Sequence, residues 1–381
     1  MTETPRRAVV VDAVRTPQCR KDGALADVHP EDLVTTVLDA LVDRTGVDPA
    51  EWADFRLGCA NQEGEQGRNL ARQSLLAGGF PESVPGATLS RLCGSSLTAL
   101  TDAARAVEAG DGEVYPVAGV EHMSRVPFSD WLHPAIEERY DGGDDLSMGR
   151  TAETVARRHG ITREEQDAFA LRSHERAVAA RDESRFDDEV VPVETPDGAV
   201  ERDEGPRADT SMDALADLPT VFADDEAATV TPGNASPLTD GAAGLLVTSE
   251  AYAEREGLPV LARVVSRAVV GVDPEAMGVG PVPATRAALA AADLSVDGLD
   301  LVELNEAFAA QSRYCVRELG LDEDRLNVNG GAIALGHPLG CSGARITTTL
   351  LHELARRGGR YGLATMCVGF GQGVATVFER V

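Results

Sequence analysis

A chain of 381 residues with 43% hydrophobic but only 4% aromatic residues can bury a substantial core built mainly from Ala, Val and Leu, and is long enough for two or three domains or for intertwined halves of one unit. Its formal net charge of −28, from 63 acidic and 35 basic residues with Lys21 as the sole lysine, leaves no basic footprint for nucleic acid or an anionic membrane. Spread among periodic apolar segments, that charge reads as the surface of a folded protein suited to a salt-rich cytoplasm, which points to a halophile, and any anionic ligand must find local positive charge.

Residues 1–7 are polar and run straight into a strand-like stretch at 8–11, with no basic segment ahead of a long apolar one, so no leader is expected. No apolar run approaches the roughly 18 residues that span a bilayer, and a soluble, cytoplasmic protein is expected. The six cysteines, at 19, 59, 93, 315, 341 and 367, contain no Cys-x-x-Cys pair. Free thiols are therefore expected rather than a disulfide framework or a zinc site.

Strand-like runs at 8–11, 114–117 and 363–366 alternate with amphipathic helical stretches at 97–109 and 346–356, an α/β pattern. Cys93-Gly94-Ser95-Ser96 opens a helix that closes at Gly110, followed by the strand at 114–117 and Gly119. Cys341-Ser342-Gly343-Ala344 opens a helix that closes at Gly358, followed by the strand at 363–366 and Gly369. The spacing from cysteine to closing glycine is the same, which points to two related halves about a pseudo-twofold axis, against the alternative of a chance likeness between two α/β units. Between them the sequence turns charge-dense and irregular, with Glu137-Glu138-Arg139 and a run of acidic residues and glycines at 141–145. It reads as an inserted loop domain capping a site. Within it, Thr162-Arg163-Glu164-Glu165-Gln166 opens like a capped helix and continues through Phe169 and Ala170 toward His174 and Ala177. The expected organisation is an N-terminal half at 1–120, the inserted domain at 121–231, a return to the first half at 232–255 and a C-terminal half at 256–381.

Four residues stand where chemistry is expected. Cys93 lies between a short strand-like run at 87–92 and a helix, where the helix macrodipole and free N–H groups lower a thiol's pKa and favour the thiolate; the bland alternative is a buried small hydrophobe. His337 sits in Gly336-His337-Pro338, at the end of the glycine-dense stretch from Asn329. This stretch is neither a P-loop nor a dinucleotide fingerprint, and the pseudo-twofold would set the imidazole opposite Cys93 as its base. Cys367, at the end of the strand answering 114–117, offers a thiol for proton transfer beside a thioester, or simple packing. Asn305, in Asn305-Glu306-Ala307-Phe308 after an apolar run, offers an oxyanion donor or a helix cap.

Together these motifs resemble the thiolase family from Arg15-Thr16-Pro17 to Val381. The resemblance is carried by Leu92-Cys93-Gly94-Ser95-Ser96, Gly119-Val120-Glu121-His122-Met123-Ser124, Met148-Gly149-Arg150-Thr151-Ala152-Glu153, Gly233-Asn234-Ala235-Ser236-Pro237, Asn305-Glu306-Ala307-Phe308, Gly336-His337-Pro338 and Cys367-Val368-Gly369. It implies the layered thiolase fold, two α/β halves in five αβαβα layers with a loop domain inserted from the first. It also implies an acyltransferase in which Cys93 carries the acyl group, His337 activates it and Cys367 shuttles the proton at the substrate carbon. Asn305, through a water, would form one oxyanion hole with His337, and the N–H groups of Cys93 and Gly369 the other. By the same resemblance Ser236, Met148 and Phe222 line a pantetheine channel, Arg207 meets the nucleotide end of CoA, and Phe308 and Phe370 are further substrate-side candidates. CoA and acyl-CoA are substrates, and no cofactor or metal is implied.

Ser147 and Phe370 depart from short-chain biosynthetic thiolases, which tend to carry His and Gly there, and the C-terminal stretch from Gly371 is similar to the degradative, fatty-acid-oxidising subgroup. A 3-ketoacyl-CoA thiolase is favoured over an acetoacetyl-CoA thiolase. Cys341 has no family role and reads as structural. Decarboxylating ketoacyl synthases also pair Cys with His but use His or Asn where this chain has Cys367, and a non-catalytic acyl-CoA carrier would have lost one of Cys93, His337 or Cys367. The resemblance further implies a homodimer or homotetramer, with docking to hydratase and dehydrogenase partners open.

Overall fold

The computed structural model describes residues 6–128, 131–223 and 225–381; residues 1–5, which open the stretch read as leaderless, lie outside the described residues. Strands are β1 (Ala8–Arg15), β2 (Cys19–Arg20), β3 (Phe55–Gly58), β4 (Gly86–Leu89), β5 (Val114–His122), β6 (Val193–Thr195), β7 (Gly198–Val200), β8 (Thr239–Ser249), β9 (Ala262–Gly271), β10 (Leu301–Leu304), β11 (Tyr361–Val368) and β12 (Gln372–Glu379). Helices are α1 (Pro30–Thr45), α2 (Leu70–Ala77), α3 (Ser95–Ala109), α4 (Pro134–Arg139), α5 (Met148–His159), α6 (Arg163–Asp182), α7 (Met212–Ala216), α8 (Glu250–Glu256), α9 (Pro281–Ala292), α10 (Ala309–Leu319), α11 (Ala332–Leu335) and α12 (Ser342–Arg357). Among the described residues no helix is long and apolar enough to cross a membrane.

The strands follow the order β10-β11-β12-β9-β1-β8-β5-β3-β4, with β2 on β8, and the repeat read from the sequence is visible in it. In the first half β4, β3 and β5 pair in parallel and then β5, β8 and β1 pair antiparallel. In the second, β10 and β11 pair in parallel and then β11, β12 and β9 pair antiparallel. An isolated parallel bridge, Val302 to Leu326, takes the place of β4. The halves meet where Val9 and Val10 of β1 pair with Arg263 and Ala262 of β9. Helices α3 and α12 end at Gly110 (φ 83) and Gly358 (φ 69), the left-handed caps expected at both.

The layering follows from which faces are apolar. Along β1, Ala8 and Val10 face one cluster while Val9 and Val11 face another, the period-two alternation of a strand covered on both sides, and a bulge between Val10 and Asp12 reverses it so that Ala13 joins the first cluster and Val14 the second. Leu97, Leu100 and Val107 of α3 and Ile346, Leu350 and Leu354 of α12 share one buried cluster with Val117 and Val247 of the first half and Ala364 and Phe378 of the second. These two helices are thus the central layer. Leu33, Val37 and Leu70 of α1 and α2 cover the outer face of the first half, and Val282, Leu289 and Val316 of α9 and α10 cover that of the second. The result is five layers, αβαβα, in which each buried leucine contributes roughly 2 kcal/mol.

The segment between β5 and β8, expected to be irregular, carries much helix. Its charge hid this: α5 buries Ala152, Val155 and Ala156 while presenting Arg157 and Arg158 outward, so the two faces are well separated but charged residues dominate the composition. Helix α6 opens with the expected capping box at Thr162 and Glu165 and packs Phe169 and Ala170 on the second half. Arg15, at the end of β1, anchors this segment to the first half. Its fully buried guanidinium donates to Glu189 Oε1 at 2.6 Å and to both oxygens of Asp203 at 2.7 and 3.0 Å.

Candidate active site

Strand β4 does not lead smoothly into α3. The chain turns sharply at 90–94, with the Gly94 N–H donating to Arg91 O at 3.0 Å, the Arg91 N–H to Ser95 Oγ at 2.9 Å and the Ser95 hydroxyl to Leu92 O at 2.5 Å. Leu92 sits at φ 46, a left-handed conformation costing a non-glycine residue on the order of 1–3 kcal/mol. Gly94 is required by close approach, since a Cβ there would stand 2.8 Å from Val368 Cγ2. Arg91 ties the turn down, donating to Thr98 Oγ1 at 3.0 Å and to Gln372 Oε1 at 3.1 Å. The elbow holds Cys93 against the ends of β11 and β12, 9% exposed.

The sequence led us to expect a thiol drawn down by the helix N-terminus, and the structure corrects this for the resting protein. The first helical residue is Ser95, so Cys93 stands outside the helix, and burial pushes its pKa up to about 12. The Gly369 N–H, and Cys93's own, point at the sulfur and pull the other way, while the Glu121 charge adds to the rise. Cys367, one residue from the end of β11, is also pushed well up, by burial first and then by the neighbouring Cys93. Both groups rest as thiols.

His337 lies in the loop ahead of α12 and is 5% exposed. Its ring Nδ1 is 2.5 Å from Ser342 Oγ, its backbone N–H donates to Thr239 Oγ1 at 3.2 Å, and Asn305 Nδ2 lies 3.4 Å from both ring nitrogens. Burial, then the charge of Arg345, pushes the imidazole down to about 3, so it is neutral at rest. Asn305 follows β10 with its N–H on Thr365 O at 3.0 Å. It caps no helix, because α10 begins at Ala309 behind Phe308. The α3 and α12 N-termini abut: the Ala344 N–H donates to Ser96 Oγ at 2.8 Å, and the Ser96 hydroxyl to Cys341 O at 3.1 Å. That contact brings the His337 loop and the Cys93 elbow to the same end of the central layer.

Most of the remaining candidates gather around these groups. A Cβ at Gly369 would stand 2.9 Å from Leu92 Cδ1 and 3.8 Å from Met148 Sδ, placing Met148 over the elbow. Phe308 packs with Cys367 in one buried cluster and meets Phe222 edge-on, ring centroids 6.1 Å apart. The Ser236 hydroxyl donates to Ala307 O at 3.0 Å. Phe370 is 47% exposed and carries a left-handed φ of 58. Arg207 lies apart, on a cleft of 260 Å³ lined also by Arg20, His174, Ala235 and Pro237. Burial, and then the two guanidinium groups there, push His174 down to about 4, and Ala235 and Pro237, the neighbours of Ser236, line the same cleft. A second cleft, of 270 Å³ between Arg181, Phe186 and Arg202, touches none of the cysteines.

Sequence reasoning missed several residues that hold the site. Ser342 and Thr239 fix His337, Leu92 carries the elbow, and Arg20 adds a second cation beside Arg207. The glutamates of three motifs were also passed over. Glu121, Glu153 and Glu306 are 1%, 2% and 1% exposed, and each gathers donors from a loop. Their signal was a carboxylate set among apolar and small residues, where an unpaired charge would be costly.

Comparison with known proteins agrees with this architecture. The thiolase N-terminal domain family matches residues 8–251 and the thiolase C-terminal domain family residues 258–380. A 3-ketoacyl-CoA thiolase of Pseudoalteromonas translucida is 50% identical over 385 residues, covering 98% of each chain. One of Escherichia coli is 50% identical over 387 residues, covering 98% of this chain and 100% of the other. Among solved structures, the Bacillus anthracis acetyl-CoA acetyltransferase superposes over 100% of both chains with a TM-score of 0.92 at 42% identity.

Proposed function

The chain belongs to the thiolase family, and from that premise we propose that it is a 3-ketoacyl-CoA thiolase, an acyltransferase that cleaves 3-ketoacyl-CoA with CoA to acetyl-CoA and a shortened acyl-CoA. The observation that carries the reading is the likeness to 3-ketoacyl-CoA thiolases at about half identity along nearly the whole of both chains. In the first step His337 takes the Cys93 proton and the thiolate attacks the 3-keto carbon. The carbon–carbon bond breaks, the acyl group stays on Cys93, and the departing enolate takes the Cys367 proton to become acetyl-CoA. In the second step the CoA thiol returns a proton to Cys367, its sulfur attacks the acyl group, and the Cys93 thiolate leaves and recovers its proton from His337. Dividing the reaction through a thioester leaves each step a modest barrier.

With Cys93 pushed up and His337 pushed down, the proton transfer between them is uphill in the free protein, so it has to be coupled to attack on the bound substrate. Asn305, through a water, and His337 would stabilise one oxyanion, and the N–H groups of Cys93 and Gly369 the other. Met148, Phe222, Phe308, Phe370 and Ser236 would line the channel for pantetheine and acyl chain, and Arg207 with Arg20 would meet CoA phosphates. The reaction as proposed draws on the chain, its CoA thioester and CoA substrates and the water held by Asn305. The resemblance extends the proposal to a cytoplasmic homodimer or homotetramer serving fatty-acid β-oxidation, and the acidic, lysine-poor composition to a working environment of high salt.

A second reading, an acetoacetyl-CoA thiolase acting on short chains, is favoured by the likeness to the Bacillus anthracis acetyl-CoA acetyltransferase. CoA-dependent cleavage of acetoacetyl-CoA and of a long-chain 3-ketoacyl-CoA, compared in molar KCl, separates the two. Preferred cleavage of the long substrate is expected, activity on acetoacetyl-CoA alone would favour the second reading, and cleavage of neither would sink both.

A further inference from the structure

The loop that carries His337 is short, rich in glycine, and joined to the rest of the protein by two buried carboxylates from different layers. At its start the Ile333 N–H donates to Glu306 Oε2 at 3.2 Å, and the Gly331 N–H donates to Ser173 Oγ at 3.0 Å, whose hydroxyl donates to the same Glu306 oxygen at 2.6 Å. The fit leaves no room for a side chain at 331, where a Cβ would stand 2.1 Å from the Glu306 carboxyl carbon. At its end the Gly340 N–H donates to Glu121 Oε2 at 2.8 Å. That same Glu121 oxygen accepts from the Ala60 N–H at 2.9 Å, while its other oxygen accepts from the Asn61 N–H at 3.1 Å and from Gln66 Nε2 at 2.9 Å.

Glu121 therefore spans the halves. It lies on β5, its donors at 60, 61 and 66 follow β3 in the first half, and Gly340 belongs to the second. Contact there is close, since a Cβ at Gly340 would stand 2.5 Å from the Ala60 nitrogen. An ionised carboxylate is the only side chain of this length that accepts from four donors at once, and burying it is tolerated because all four are made. The Cys93 elbow is built on the first half and the His337 loop opens the central helix of the second. A bond across the joint fixes the one relative to the other.

We propose that Glu121 and Glu306 are positioning residues for His337, clamping its loop at both ends so that the imidazole meets Cys93 in a reactive geometry. This rests on the reading of His337 as the base for Cys93. A misplacement of about 1 Å costs roughly 100-fold in rate, so Glu121→Gln, which turns an NH₂ group toward backbone donors, is expected to lower kcat roughly 10- to 100-fold and leave KM within about twofold. In the His337→Ala background the same substitution is expected to lower kcat no further, because the group it positions is gone. Hydrogen exchange of the untouched protein is expected to protect the Gly340 amide to the level of the central helices.

Glu306→Gln tests the other end of the clamp, and serves alone if Glu121→Gln does not fold. Wild-type kcat in a folded Glu121→Gln or Glu306→Gln variant, an equal further loss in the His337→Ala background, or rapid exchange at Gly340 would each overturn the clamp. If His337→Ala itself retains full activity, the reading of the base fails and takes the clamp with it. If His337→Ala is inactive while Glu121→Gln is not, only the clamp fails.

Discussion

Cys93 and Cys341 occupy matching places in two copies of one design, each just ahead of a helix of the central layer, yet their surroundings differ. Cys341 has helical dihedrals (φ −75, ψ −30), continues directly into α12 and is fully buried. Cys93 follows a left-handed Leu92, stands two residues outside α3, and has the Gly369 N–H aimed at its sulfur and Cys367 as neighbour. A helix start lies close to both and therefore does not by itself tell the two thiols apart. The left-handed elbow sets Cys93, 9% exposed, beside Gly369 and Cys367, and the smooth entry into α12 leaves Cys341 fully buried. The pseudo-twofold then gives the second copy a different task, presenting His337 from the loop ahead of its helix.

Breaking the comparison at the reactive thiol has the largest expected effect. Cys93→Ala is expected to lower thiolysis more than about 10⁴-fold while leaving the circular dichroism spectrum and acyl-CoA affinity in place; retained turnover would end the assignment. Removing the neighbour that distinguishes Cys93 from Cys341 comes next. Cys367→Ala is expected to cost about 10²- to 10⁴-fold in carbon–carbon cleavage and, because the CoA thiol gives its proton to the same group, to slow acyl exchange between Cys93 and free CoA, followed with a labelled acyl-CoA, as well. Cleavage retained within a few-fold of wild type would remove Cys367 from the proton-transfer role.

The raised pKa sharpens the contrast with a thiol tuned by a helix alone. With Cys93 pushed up to about 12, the thiolate fraction in the free protein is small at neutral pH and grows about tenfold per pH unit. Iodoacetamide alkylation of Cys93 is expected to accelerate through pH 10 without levelling, whereas a plateau near pH 8 would show that the helix N-terminus outweighs burial. Leu92→Ile places a β-branched residue at φ 46 and is expected to destabilise the fold by about 1–3 kcal/mol in urea unfolding. No shift in midpoint would mean that the elbow is relaxed. The smallest effect is expected of Cys341→Ala, which should keep kcat within about twofold; a large loss would bring the second cysteine into the chemistry.

Much of this was legible in the sequence. Helix-opening cysteines and closing glycines at equal spacing gave the two copies away because left-handed caps demand glycine, and the capping box at Thr162 and Glu165 is a local signal that tertiary packing did not override. Cys93, Cys367 and Asn305 could be picked out as candidates from strand ends and helix starts. The sign of the Cys93 shift could not, since burial by β11 and β12 depends on partners far along the chain. Leu92 looked like any leucine, its φ being set by the turn around it. The glutamates of the motifs were visible but mute, because a carboxylate that accepts from Gly340 across 219 positions leaves no local pattern.

The central claim, that Cys93 carries the acyl group, is tested most directly by mass spectrometry of the protein incubated with a 3-ketoacyl-CoA in the absence of free CoA, quenched in acid and digested. The expected result is the mass of the shortened acyl group on the peptide containing Cys93, discharged when CoA is added before the quench. The same mass on the Cys341 or Cys367 peptide, or turnover with no acylated peptide at all, would contradict it.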